Sequence, residues 1–261
     1  MADMLTYIAA SGMDAAMKEI NNKANDLANV NTGAYKSVST KTQDSFYIIE
    51  SKAGDASQEG EKPVSLYQGT GVRAVSAYRD FSLGARKQTG LNLDFYIQGS
   101  GYVAVTLPNT DTAYYRATSL QRNSSGVLVT TEGYPLVDNI VIPDTVSTQD
   151  ILISDQGVVS YKNATSGAAV VLGQITLNNF INEQGLTPLS NGYYLETAAS
   201  GSAVSGNPGD VSFGTLDQGA LELSNVEIST VFADFMTAQR AYELNAKVLR
   251  SADEMAKELQ K

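Results

Sequence analysis

Three carboxylates, Asp144, Asp150 and Asp155, lie in one short stretch and are the residues best suited by type to general acid–base chemistry. Composition removes the competing chemistries. The chain has no His and no Cys, which eliminates the usual base for a serine nucleophile, every thiol mechanism, and the imidazole or thiolate ligands of zinc. Carboxylates that cleave a glycosidic bond must converge on it at about 5–9.5 Å. The spacing of these three imposes no convergence, and they read as strand-end and turn residues. Two runs satisfy G-x-G-x-x-A, one at Gly69, Gly71 and Ala74, the other at Gly99, Gly101 and Ala104. A dinucleotide loop must open a helix whose first amides face the phosphate. Here the following residues, 75–81 and 103–107, read as strands, so both runs are β-turns. Asn109 and Asp111 share a loop but lack the twelve-residue calcium cage with its terminal Glu. No catalytic, cofactor-binding or metal residue is expected. The 14 Tyr, including Tyr114 with Tyr115 and Tyr193 with Tyr194, leave one binding alternative, exposed rings that pack on a sugar.

Bulk properties narrow the partners. At 261 residues the chain can bury a substantial core in one large or two small domains. Its formal net charge is −10, with only 18 Lys and Arg, which argues against a phosphate backbone or an anionic membrane as partner. The first 17 residues are apolar but carry Asp3 and Asp14 and lack a basic start, unlike a cleavable secretory signal. They are also too short and polar to cross a bilayer, which takes roughly 20 apolar residues. Neither nucleic acid nor membrane insertion is expected.

The elements that would position any site are helices at the two ends and strands between them. In the last segment Ile228, Phe235, Tyr242 and Leu249 recur every seven residues, beside a second row of Val231, Ala238, Asn245, Ala252 and Leu259. That is an a/d seam. Near the start Thr6, Met13, Ile20 and Leu27 repeat at seven, with Ala10, Met17 and Ala24 four residues behind. The first helix is predicted from Asp3 to Asn29, stopped by Asn31, Thr32 and Gly33. Its small residues, Gly12 among them, suit close packing of helices. The second is predicted to start at Ser224, with Glu227 completing a capping box. Pairs at i,i+4, such as Glu243 with Lys247, mark its solvated face.

Between the helices Leu91, Leu93, Phe95 and Ile97 alternate with polar residues or Tyr96, the pattern of a half-buried strand. Further strands are predicted at 102–107, 126–131, 134–142, 151–154, 157–161, 168–180 and 193–197. Turn residues separate them at the rhythm of an antiparallel domain. Residues 51–63 and 200–210 read as loops. The fold class is therefore α+β, with N- and C-terminal helices packed as a coiled coil and a central, mainly antiparallel β region. The expected domains are a discontinuous helical one (1–36 with 224–261), a connecting β or extended region (37–90 with 205–223), and a central β domain (91–204).

The run from Ala24 to Lys36, with Asn25, Leu27, Ala28, Asn29, Thr32, Tyr35 and Lys36, resembles the signature of bacterial flagellar rod, hook and hook-associated proteins. Asp26 replaces the usual second Asn, and Ala34 stands where Gly is common. Ser224, Asn225 and Val226, followed by Gln239, Arg240, Ala241 and Tyr242, resemble the matching signature at the other end. Interior runs at Gly69–Arg73, Gln98–Tyr102 and Gly126–Thr130 are similar to the distal-rod branch, so the resemblance covers the whole chain. Proximal rod and short hook-type proteins are the neighbouring alternatives, and a carbohydrate-binding β module on a helical stalk is the alternative of another class. The inserted stretch 45–68 corresponds to a segment associated with the straight, stiff distal rod.

The resemblance implies a homo-oligomeric helical polymer, a hollow drive shaft with helices inside and β domains outside. Its implied partners are proximal rod proteins, hook protein, the surrounding P and L rings and the flagellar type III export apparatus. The implied location is the basal body in the periplasmic space, reached without a cleavable signal. The residues expected to carry assembly are Met13, Met17, Ile20, Ala24, Leu27, Ile228, Val231, Phe235, Tyr242 and Leu249.

Overall fold

The computed structural model describes residues 2–51, 56–57, 60–61, 65–162 and 168–258. Leu259 and most of the polar stretch 51–63 lie outside them. The fold is α+β, with two long helices and many antiparallel strands, in two compact units. One unit comprises Met1–Ala28, Val38–Asp80 and Glu227–Lys261, and the other Asn29–Ser37 and Phe81–Val226.

The first unit pairs the chain's ends. Helix α1 spans Ala2–Ala28 and helix α2 spans Ile228–Glu258. Lys23 reaches Asp234 at 3.2 Å while Gly12 faces Asn245. Numbers that rise along one helix fall along the other, so the two are antiparallel. Small residues permit the approach, because a Cβ at Gly12 would stand 2.8 Å from the Asn245 amide nitrogen. The buried side of α1 carries Ala9, Ala15, Ala16, Lys23 and Asp26, and that of α2 carries Val231, Ala238 and Ala252.

A ribbon lies along α1. Val38–Asp44 pairs antiparallel with Val72–Arg79, and Tyr47–Ser51 continues the ribbon against Leu66–Gly69. Polar side chains of α1 fasten its base. The Asp26 carboxylate accepts the Val38 N–H at 3.1 and 3.3 Å, Glu19 accepts the Thr40 N–H, and Asn22 donates to the Thr40 hydroxyl. Gly71, at φ 106°, immediately precedes the strand Val72–Arg79, where the Ser11 hydroxyl accepts the Val72 N–H.

The second unit is built on a six-stranded antiparallel sheet. In spatial order it runs Thr187–Pro188, Tyr193–Leu195, Thr112–Tyr115, Tyr102–Thr106, Leu177–Asn179 and Val204–Gly206. A three-stranded sheet of Ile151–Ile153, Val158–Lys162 and Ala169–Gln174 and several two-stranded pairs complete it. Phe95, Val105, Leu128, Ile151, Val159 and Leu177 are fully buried in its main core. Burial of a side chain of this size stabilises by about 1.5–3 kcal/mol.

Several boundaries differ from the sequence reading. The strand expected from Leu91 begins at Phe95, because Leu91 to Asp94 form a turn closed by Asp94 N–H to Leu91 O. Phe95, Tyr96 and Ile97 are all buried, so the strand is covered on both faces rather than one. Residues 134–142 form isolated bridges in place of a strand, since Pro135 donates nothing and Asn139 sits at φ 44°. The run 168–180 is divided near Thr176, whose N–H and hydroxyl both go to Asp138. The expected loop 200–210 contains the edge strand Val204–Gly206.

Helix α2 starts four residues later than expected. Its first turn closes with Val231 N–H on Glu227 O, and Glu227 accepts from the Ser229 and Thr230 hydroxyls. Ser224 instead accepts the Val226 N–H in the preceding turn, so the predicted capping box does not form.

Candidate functional site

The two terminal signatures meet inside the second unit at a densely hydrogen-bonded place. Lys36 and Asn225 belong to opposite ends of the sequence, yet Asn225 Oδ1 accepts the Ser37 N–H at 2.8 Å and the Asn225 N–H donates to Tyr35 O at 3.2 Å. Lys36 is 1% exposed, and its Nζ donates to Ser82 O and to Glu222 Oε1, both at 2.6 Å. Glu222 Oε1 also accepts the Gly84 N–H at 2.9 Å, and Oε2 accepts Arg116 Nε at 2.7 Å. The rest of the Arg116 fork is spent on the carbonyls of Ile97, Gly99 and Gly101.

Position in the strands explains this convergence. Ala220–Glu222 pairs with Arg86–Gln88, which brings Glu222 beside residues 82–84. The close approach requires Gly84, because a Cβ there would lie 1.8 Å from Leu223 O. Ala34, whose N–H donates to Glu222 O at 2.9 Å, adopts φ 52°. That left-handed geometry suits the Gly usual in the resembling signature. Burial alone would push the Glu222 carboxyl up, but Arg116, Lys36 and the Gly84 N–H outweigh it and hold it below its ordinary value.

Glu222, Arg116 and Gly84 were not singled out from the sequence. A lone Glu in a short strand looks like any exposed strand residue, and nothing local links it to an Arg 106 positions away. The arrangement binds chain to chain, with every acceptor and donor named above provided by the protein itself.

The helix faces form the second candidate site. Of the ten residues expected to carry assembly, Val231 is buried within the chain. Met17, Ala24, Leu27 and Ile228 are exposed, and Met13, Ile20, Phe235, Tyr242 and Leu249 are half-buried. The contact within the chain thus uses the neighbouring face of α1, around Ala9, Ala16 and Lys23. Further exposed apolar residues on the helices, Tyr7, Phe232, Met236, Leu244, Val248 and Met255, escaped the heptad reading because they lie off its rows. Among the motif residues Asn25, Ala28, Gln239, Arg240 and Ala241 are exposed, Asn29 and Thr32 close the turn after α1, and Ser224 and Val226 are buried.

The structure withdraws the two tyrosine pairs named above from any sugar-stacking surface, while Tyr7, Tyr47, Tyr67 and Tyr78 are exposed. Tyr114, Tyr115, Tyr193 and Tyr194 are between 3% and 6% exposed, packed ring on ring with Phe180, Tyr134 and Phe81. Asp144 and Asp155 sit in turns and Asp150 ends a short 3-10 turn. Both G-x-G-x-x-A runs lead into strands, Val72–Arg79 and Tyr102–Thr106.

Two family models match the chain. One describes the flagellar hook protein FlgE/F/G D1 domain and covers residues 96–161, and the other describes the C-terminal part of the flagellar basal-body rod FlgEFG proteins and covers residues 217–261. Paired ends, interlocked signatures and these matches define a structural subunit of the flagellar rod and hook class, not an enzyme. The relatives resolve the class further. Flagellar basal-body rod protein FlgG of Caulobacter vibrioides is 40% identical over 249 residues, covering 95% of this chain and 94% of the relative. FlgG of Borreliella burgdorferi is 37% identical over 250 residues, with the same two shares. The hook protein FlgE of Escherichia coli matches over only 40% of this chain and 25% of its own length, at 39% identity. The chain belongs to the flagellar basal-body rod protein FlgG family.

Proposed function

We infer that the chain is a subunit of the distal rod of the flagellar basal body, polymerising helically into a hollow shaft that carries torque from motor to hook and lets exported subunits pass. The observation that carries this reading is the exposed apolar surface on α1 and α2, including Met17, Leu27, Ile228, Phe232 and Leu244. Exposed apolar patches on this scale mark interaction surfaces, and a heterologous interface that does not close on itself generates a filament. In the polymer the helices pack as a coiled coil against those of neighbouring copies and form the inner layer.

The ribbon supports the distal-rod assignment. Phe46, Tyr47, Ile49, Leu66 and Tyr67 are exposed on it, and an isolated two-stranded ribbon is marginal in water. It becomes rigid when covered by neighbouring subunits. Proximal rod proteins and hook protein meet the two ends, and the P and L rings surround the shaft. The flagellar type III apparatus delivers the chain to the periplasmic space without a cleavable signal.

Electron microscopy of purified protein at rising concentration tests the reading. Full-length chain is expected to form tubes, and Met17→Asp combined with Phe232→Asp is expected to remain monomeric with unchanged circular dichroism. Tubes formed equally well by the double variant would reject these helix faces as the assembly surface.

A further inference from the structure

The chain passes between its two units after Ala28, Ser37, Asp80 and Val226. Three of these passages are bolted at the same place inside the second unit. Lys36, Ser82 and Asn225 are each the residue next to the last at an end of a segment of that unit, and they are joined directly. Lys36 Nζ and Asn225 Nδ2 both donate to Ser82 O, at 2.6 and 3.4 Å, and Asn225 also holds the backbone of Tyr35 and Ser37. Glu222 lies behind them, 1% exposed at its side chain, with Lys36 on one oxygen and Arg116 on the other.

We propose that Lys36, Glu222, Arg116 and Asn225 form a clasp that orders the three exits of the β unit as one cooperative element, separable from the β core. The chemistry of the site supports a device of this kind. One buried carboxylate serves two cations and the Gly84 N–H, so removing its charge takes the buried counter-ion from Lys36 and Arg116 and leaves one acceptor oxygen for three donors. The three groups come from separate places in the chain, Lys36 from Asn29–Ser37 and Gly84 and Arg116 from positions 32 residues apart in Phe81–Val226. Arg116 is anchored independently by the Ile97, Gly99 and Gly101 carbonyls, so the core side of the clasp stays in place while Lys36 and residues 82–84 are loosened. Asn225 then loses its Ser82 and Ser37 partners as those segments move. The β core draws its stability from elsewhere, around Phe95, Val105, Leu128 and Leu177. Local openings with free energies well below that of global unfolding are general in proteins. The clasp sets one at this place, and the proposal does not depend on the function inferred above.

Hydrogen exchange read by mass spectrometry on the full chain tests it, comparing wild type with Glu222→Gln and Lys36→Met. In both variants, peptides covering 33–38, 81–86 and 222–226 are expected to exchange at least tenfold faster together, while peptides covering 102–106 and 128–130 keep wild-type protection. Uniform loss of protection would reduce Glu222 to a contributor to global stability and overturn the clasp. So would unchanged protection at all three exits. If Glu222→Gln does not fold, Lys36→Met decides alone, because it preserves the Arg116–Glu222 pair. Loosening of all three exits supports the clasp, and loosening of 33–38 alone overturns it.

Discussion

At the scale of single residues, ionisation is governed by burial working against neighbouring charge. Glu222 is held below its ordinary value, so its contribution to stability is complete above the unfolded Glu pKa of about 4.3 and is lost as pH falls through the lower folded value. Glu222→Gln is therefore expected to weaken the three exits of the β unit by about 3–5 kcal/mol near neutrality, the usual penalty for breaking a buried ion pair from one side, while the β core keeps its stability. It should also flatten the acid limb of a curve of hydrogen-exchange protection against pH at residues 33–38, 81–86 and 222–226. An acid limb of unchanged slope in the variant would mean that other carboxylates set acid stability. The tyrosines predict the alkaline side. Burial first, then the carboxylate of Glu196, pushes Tyr114 up to about 12, and burial raises Tyr102, Tyr115 and Tyr193 as well. A raised folded pKa contributes stability that is complete below about 10 and lost as pH rises through the folded value. Stability should thus fall above about pH 10, and Tyr114→Phe should make that fall shallower. An equally steep fall in Tyr114→Phe would assign the alkaline loss elsewhere.

At the scale of elements, the helix pair rests on how closely two backbones approach. Gly12 faces the Asn245 side chain with no room for a longer substituent. Gly12→Leu is expected to destabilise by about 1–3 kcal/mol through overpacking, despite leucine's better helix propensity. Because the obstacle is a side chain, Asn245→Ala should restore part of the loss, giving a measurable coupling in a double-mutant cycle of thermal melts. Additive effects would show that the two positions do not touch.

The existence of both helices was legible in the sequence because periodicity survives over 27 and 31 residues. Which stripe of α1 turns inward was not legible. Met13, Met17, Ile20 and Leu27 are the more apolar row, yet Ala9, Ala16 and Lys23 are buried, since Lys23 is satisfied by Asp234 and Glu19 and alanines allow the closer contact. The same limit applies to the strands. Turn residues on either side located Tyr102–Thr106 and Tyr193–Leu195, but the two-sided burial of Phe95 to Ile97 depends on partners more than 100 residues away. The signatures at Lys36 and Asn225 were visible one at a time, and their meeting on Ser82 and beside Glu222 required the fold.

At the scale of the whole molecule, charge and apolar surface oppose each other. Each chain carries a formal net charge of −10, so stacking identical copies concentrates negative charge along a common axis, and this repulsion disfavours assembly. Burial of Met17, Leu27, Ile228 and Phe232, all exposed in the single chain, favours it, and that apolar term is not weakened by screening. The Debye length shrinks from about 30 Å at 0.01 M salt to about 8 Å at 0.15 M, which removes most repulsion between copies while leaving the contact intact. The protein concentration at which polymers first appear in light scattering should therefore fall as salt rises across this range. Exposed ion pairs such as Lys18 with Asp14 lie within one helix and give the polymer no compensating salt-sensitive attraction. If salt instead dissolves preformed polymers, ion pairs between copies hold them, and the mixed charges on the outer face of α2, Glu243, Lys247, Arg250 and Glu254, become the surface to change next.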